Sequence, residues 1–205
     1  MSKVLHISAS PRGEASESLA IARTFLETYA ETHPGDEIDT FDLWDGSLPP
    51  FGPEAVAAKM RRFAGQDPSG DAWAAAVRTF ERVAAADKYL FSVPMWNGGI
   101  PYILKQLIDV ISQPGMAFSF SPSTGYTGLL LGKKAATIYT SAVYGDSLPP
   151  AFGTDLQQPY LENWLRFAGV QDITPIQFRP NLVTATADAD RKTAHEQARD
   201  VAGNF

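Results

Sequence analysis

Cysteine is absent from the 205 residues. That removes disulfides, Cys-ligated zinc, iron–sulfur clusters and thiol nucleophiles in one step. Histidine is nearly absent too, with only His6, His33 and His195. His6 falls in an expected strand and the other two in expected surface segments, so no metal cluster forms from them. A serine hydrolase is excluded on the same ground, because no G-x-S-x-G elbow accompanies a usable histidine. Excess positive charge is missing as well: 17 Lys and Arg face 23 Asp and Glu, a net charge of -6. A surface that displaces counterions from nucleic-acid phosphates needs the opposite balance, so nucleic acid is not an expected partner. No apolar run approaches the roughly 20 residues that span a bilayer. The start, Met1-Ser2-Lys3-Val4-Leu5-His6, lacks the apolar stretch of a signal peptide. We therefore expect a cytoplasmic protein with no membrane partner.

What is present reads as one domain over residues 1–205, with 44% hydrophobic and 20% charged residues and neither repeats nor low-complexity tracts. Val4–Ser8, Ile38–Leu43, Lys88–Val93, Ala135–Ser141 and Ile173–Phe178 read as strands, each beside a segment of helical period. Leu19, Ala22, Leu26 and Tyr29 form one apolar stripe, and Leu104, Leu107, Ile108 and Ile111 another. Pro101 suits the first turn of that second helix. Further helical patterns run over Pro53–Phe63, Asp71–Ala85, Asp155–Phe167 and Ala189–Val201. Strands alternating with helices predict a doubly wound α/β fold. We expect a flavodoxin-like three-layer sandwich, a five-stranded parallel sheet of order 2-1-3-4-5 with helices on both faces. Phe118–Gly132 and Tyr144–Thr154 break the pattern and read as walls of a site, with room for a small hairpin in the first.

Three loops carry chemistry. Ser8 to Ser18, after strand one, offers hydroxyls at Ser10, Ser16 and Ser18, a helix N-terminus and the basic Arg12, which together suit a phosphate monoester. Ser16 alone reads equally as a helix cap. The loop lacks both G-x-G-x-x-G and a Gly-Lys-Ser/Thr ending. Pro94-Met95-Trp96-Asn97-Gly98-Gly99-Ile100-Pro101 lets a backbone approach a flat ligand, with Met95 and Trp96 as polarizable surface. An ordinary Asn-Gly turn fits the same residues. Ser141-Ala142-Val143-Tyr144-Gly145 ends the fourth strand of the sheet. In the expected order, all three loops meet at the switch point where open α/β sheets bind ligands.

At these residues the chain resembles the FMN-dependent NADH-azoreductase family, within the flavodoxin-like quinone reductases. The pattern runs from Ser10…Ser16-x-Ser18 through Pro94-Met95-Trp96-Asn97, Ile100-Pro101, Leu104-Lys105, Asp109, Thr127-Gly128-Leu129 and Gly132-Lys133-Lys134-Ala135 to Pro159-Tyr160-Leu161 and Phe167-Ala168-Gly169. The resemblance implies FMN as cofactor. Its phosphate would meet Ser10 and Ser16, Glu17 and Ser18. Its ring would meet Met95, Trp96, Asn97 and Gly98, with further contacts from Ser141, Ala142, Val143 and Tyr144. It also implies a homodimer, NADH or NADPH as electron donor, and quinones or aromatic azo compounds as acceptors in a ping-pong cycle without a covalent catalytic side chain. The family often has Ser-Arg-Gly-Gly where this chain has Ser141-Ala142-Val143-Tyr144, and Tyr in place of Trp96. Phe118, Phe120, Tyr126 and Phe167 are the expected pocket walls for a flat acceptor, although any one of them reads equally as core. The competing readings are a flavodoxin-type electron carrier without its own NAD(P)H oxidation, and a fold that has lost its cofactor.

Overall fold

Strands buried on both faces must be apolar nearly throughout, and Lys3-Val4-Leu5-His6-Ile7-Ser8 is buried from its second residue to its last. The computed structural model describes residues 1–205. Along the chain it forms β1 (Lys3–Ser8), α1 (Glu17–Thr32), β2 (Glu37–Asp42), α2 (Pro53–Phe63), α3 (Asp71–Ala84), β3 (Lys88–Pro94) and α4 (Tyr102–Ile111). There follow β4 (Phe118–Ser121), β5 (Gly125–Gly128), β6 (Lys134–Thr140), α5 (Gln158–Ala168), β7 (Asp172–Phe178) and α6 (Ala187–Gly203). The sheet order is β2-β1-β3-β6-β7, all pairs parallel. This is the expected order 2-1-3-4-5, renumbered because the Phe118–Gly132 stretch contains the antiparallel hairpin β4-β5. No helix is long and apolar enough to cross a membrane.

The period of two along each strand assigns the faces. Val4, Leu90, Ala136, Ile138, Ile176 and Phe178 pack with Ile21, Phe25 and Tyr29 of α1 and Ala194, Ala198 and Ala202 of α6. Leu5, Ile7, Phe91, Val93, Ala135 and Tyr139 pack with Leu104, Leu107 and Ile108 of α4 and Leu161 and Leu165 of α5. Each large side chain so buried stabilises the fold by roughly 1.5–3 kcal/mol. The α4 stripe is buried as expected, and Pro101 sits just before the helix rather than in its first turn. In α1 the most deeply buried line is Ser18, Ile21, Ala22, Phe25 and Tyr29, whereas Leu19 and Leu26 are only half-buried.

His6 is a titratable residue buried in the central sheet. His6 Nε2 is 2.6 Å from Ser92 Oγ on the neighbouring strand, while His6 Nδ1 has no partner. Burial pushes the imidazole down from 6.5 to about 4. Between those values the unfolded chain binds a proton that the folded chain refuses, so stability falls as pH drops through the window. At 1.36 kcal/mol per unit, we expect His6 to remove about 2 kcal/mol between pH 7 and pH 5. Urea unfolding of wild type and His6→Gln at both pH values measures it; an equal pH-dependent loss in the two proteins sinks the assignment.

Candidate functional site

The strand order determines where a ligand can enter. β1 and β3 are neighbours, yet α1 packs on one face of the sheet and α4 on the other. Their loops leave in opposite directions and open a crevice at the strands' carboxyl ends. The loop after β6 borders the same crevice, because β6 pairs with β3.

In the first loop Ser10, Ser16 and Ser18 are all buried, Ser18 completely. Ser16 caps α1 by accepting from the Leu19 N–H at 3.3 Å, and its hydroxyl lies 3.2 Å from that of Ser18. The N–H groups of Glu17 and Ser18, in the first turn of α1, donate to no protein acceptor. They point positive dipole ends outward, the arrangement that suits a phosphate. The Glu17 carboxylate is engaged by Arg191 of α6 at 3.0 Å, which leaves only its main chain free. That pairing neutralises a negative charge beside the cradle. Arg12 is exposed at the rim.

The second loop is a two-residue hairpin turn. Trp96 and Gly99 exchange main-chain hydrogen bonds of 2.9 and 3.0 Å. Asn97 and Gly98 between them have φ of +50° and +82°, as a turn with two left-handed residues requires. Gly98 is doubly constrained, because a Cβ there would lie 3.2 Å from the Thr154 carbonyl. Its own carbonyl accepts from the Leu156 N–H at 2.8 Å, which ties the turn to the start of α5. The N–H groups of Asn97 and Gly98 remain without protein acceptors.

The third loop faces it across a groove of about 210 Å³ lined by Met95, Asn97, Gly98, Ser141, Ala142, Val143, Tyr144, Phe152, Gly153 and Thr154. Ser141 Oγ donates to the Tyr144 carbonyl and closes the loop on itself. The N–H groups of Ala142, Val143 and Tyr144 donate to nothing in the protein. Desolvation, and then the 2.8 Å bond to Asp146, raise the Tyr144 hydroxyl above its ordinary pKa, so it stays neutral. Beyond the turn, Trp96, Asn97, Gly99, Ile100, Tyr102, Lys105, Leu156 and Tyr160 line a second, open cavity of about 410 Å³.

The expected pocket walls lie elsewhere in this chain. Phe118, Phe120, Tyr126 and Phe167 form one aromatic cluster, with centroids 4.9–5.4 Å apart between successive rings, and none of them lines either cavity. The reason is α4: its 10 residues carry the chain about 15 Å from the carboxyl ends, so the hairpin roots at the other end of α5. Two contributors were not foreseen. Trp44 follows β2, its indole N–H donates to the Ala9 carbonyl at 3.1 Å, and its ring lies 5.8 Å from Trp96 and 5.3 Å from Tyr102. Its position just past a strand's carboxyl end was the available signal. Arg179 follows β7 and supports the third loop from behind.

The comparisons agree with this architecture. A family model described as "Flavodoxin-like fold" matches residues 2–202. An FMN-dependent NADH:quinone oxidoreductase of Ruegeria pomeroyi is 44% identical over 187 residues, covering 90% of this chain and 92% of that one. FMN-dependent NADH:quinone oxidoreductase 9 of Burkholderia lata is 43% identical over 215 residues and the whole of both chains. Among solved structures, an azoreductase from Bacillus anthracis superimposes with a TM-score of 0.90 at 28% identity, over all of both chains. With its three loops at the switch point, the matching family model and these relatives spanning most or all of its length, the chain belongs to the flavodoxin-like family that includes the FMN-dependent NADH:quinone oxidoreductases.

Proposed function

We propose that this chain is an FMN-dependent oxidoreductase that takes electrons from NADH and passes them to quinones and aromatic azo compounds. The observation that carries the reading is the convergence of three loops with unpartnered N–H donors at the β1/β3 switch point. The residues present fit FMN. Buried hydroxyls of Ser10, Ser16 and Ser18, with the N–H groups of Glu17 and Ser18, would hold its phosphate. Met95, Trp96, Asn97 and Gly98 would flank the ring, and Ala142, Val143 and Tyr144 would offer it their free amides, with Ser141 closing their loop.

Bound FMN supplies the hydride and electron transfer chemistry. The chain's own part is binding, orientation and electrostatics: fixed amide dipoles on two loops favour negative charge at the groove without having to reorganise. No side chain serves as a covalent catalyst. Donor and acceptor use the open side of the groove in turn, which is the structural requirement of a ping-pong cycle.

In this reading residues 1–205 form one domain of a cytoplasmic homodimer. Tyr102 and Leu156, 61% and 60% exposed, rim the 410 Å³ cavity beside the groove, and a second copy is the natural cover for such a face. Phe120 and Tyr126, more than half exposed in a single chain, then wall the acceptor site in the assembled dimer, with Phe118 and Phe167 packed behind them.

Purified protein should show flavin absorption that NADH bleaches anaerobically and a quinone restores. Flavin bands indifferent to NADH would instead indicate an electron carrier, and protein that cannot be loaded with FMN would end the proposal. Ser18→Ala should weaken FMN retention while changing the urea midpoint little, whereas Ser16→Ala should also cost about 1 kcal/mol of stability through the lost cap. Equal loss of folding and FMN in Ser18→Ala counts against the cradle. Light scattering should give twice the 22.2 kDa chain mass. Phe120→Ala with Tyr126→Ala should raise the quinone KM severalfold and leave FMN affinity alone; an unchanged KM removes the hairpin from the acceptor site.

A further inference from the structure

Arg179 is a charged side chain only 1% exposed, so its surroundings must replace water. Its Nη1 donates to Asp155 at 2.7 Å. Its Nη2 donates to Gln158 at 3.0 Å and to both Asp146 oxygens at 3.2 Å. The guanidinium lies 5.3 Å from the Tyr144 ring and 5.7 Å from the Tyr139 ring. These partners belong to two walls of one groove: Tyr144 and Asp146 to the third loop, Asp155 and Gln158 to the start of α5 just past Gly153 and Thr154. Asp155 in turn accepts from the Gln157 and Gln158 N–H groups at 2.8 and 3.1 Å.

The backbone makes the same connection. Asn181 N–H donates to the Ser141 carbonyl at 2.8 Å and Leu182 N–H to the Ala142 carbonyl at 3.0 Å. Gly145 is pressed so close that a Cβ would lie 2.5 Å from Pro180 Cδ. Stability alone does not account for the arginine. Arg179 Nε, the Tyr139 hydroxyl and Gln157 Oε1 are all buried without partners, and a buried charge with unsatisfied neighbours is a poor stabiliser compared with an apolar core.

We propose that Arg179 is a positioning residue for the flavin ring, clamping the Ser141–Gly145 loop against the start of α5 so that the groove is shaped before the ring arrives. This rests on the FMN reading. It assigns Arg179 to the ring and not to the phosphate, whose cradle lies on α1. The clamp needs a planar fork addressing two carboxylates and an amide while stacking on tyrosine, which a lysine ammonium does not provide.

The test is a fluorescence titration with FMN and with riboflavin, which has the ring without the phosphate. Arg179→Gln should weaken both by the same factor, about tenfold, and Arg179→Lys should behave likewise. Ser18→Ala should weaken FMN only. Asp146→Asn, a change at a side chain 56% exposed and so tolerated by folding, should weaken both flavins about threefold. Unchanged flavin affinities in Arg179→Gln and Asp146→Asn, whatever happens to stability, overturn the proposal. So do full recovery in Arg179→Lys, a loss confined to FMN, or a wild-type chain that binds FMN without measurable affinity for riboflavin. A wild-type chain that binds neither flavin overturns the FMN reading together with this one.

Discussion

The backbone's need for hydrogen-bond partners, at the place where two adjacent parallel strands send their helices to opposite faces, governs the rest of this molecule. β1 hands the chain to α1 on one side, β3 hands it to α4 on the other, and neither loop covers the other's exposed N–H groups. The same arrangement leaves N–H groups without protein acceptors in the first turn of α1, the Asn97-Gly98 turn and the Ser141–Tyr144 loop, along one edge. Side chains refine that edge: Ser16 caps, Arg191 cancels the Glu17 charge, and Trp44 bonds the first loop to the aromatic group around Trp96.

The sequence conveyed local order well and long-range pairing poorly, for physical reasons. Apolar runs of strand length identified β1, β3, β6 and β7, the mostly exposed β2 followed from its place between two helical segments, and the stripe of Leu104, Leu107, Ile108 and Ile111 identified the buried face of α4. In α1 the apolar residues span more than one stripe, so periodicity does not choose between Leu19 with Leu26 and Ile21 with Phe25; the sheet chooses. The three loops were legible because a carboxyl-end position follows from strand order. Composition marks the aromatic hairpin as useful without saying to which end of a helix it is attached, so its distance from the two cavities of its own chain was not legible. Arg179 was invisible for a related reason. In a sequence an arginine reads as a solvated charge, and its burial depends on Asp146, Asp155 and Gln158, which lie 21 to 33 positions away.

The wall of the groove is thus assembled from pieces that have little structure individually. Ser141–Gly145 belongs to no helix or strand, yet it is bonded to residues 178–182 by main chain, and the adjacent Asp146 accepts from the Arg179 side chain. Opposite it, a tight turn with two left-handed residues leaves the Asn97-Gly98 backbone little freedom. A ligand entering this groove meets walls whose ordering entropy was spent on folding rather than on binding.

Helix α5 links this wall to the distant hairpin. Two residues before its start the Leu156 N–H bonds the Gly98 carbonyl, and at its end the Ala168 carbonyl accepts from the Leu130 N–H, each at 2.8 Å. Backbone contact is equally close where Gly128 abuts Gly169, since a Cβ on Gly128 would meet the Gly169 nitrogen at 2.3 Å. A helix fastened by main chain at both ends behaves as a strut and not as a hinge. The Asn97-Gly98 turn and the aromatic hairpin are therefore two ends of one rigid part. Whatever surface the hairpin meets, the distance from it to the cleft of its own chain is fixed by the length of α5.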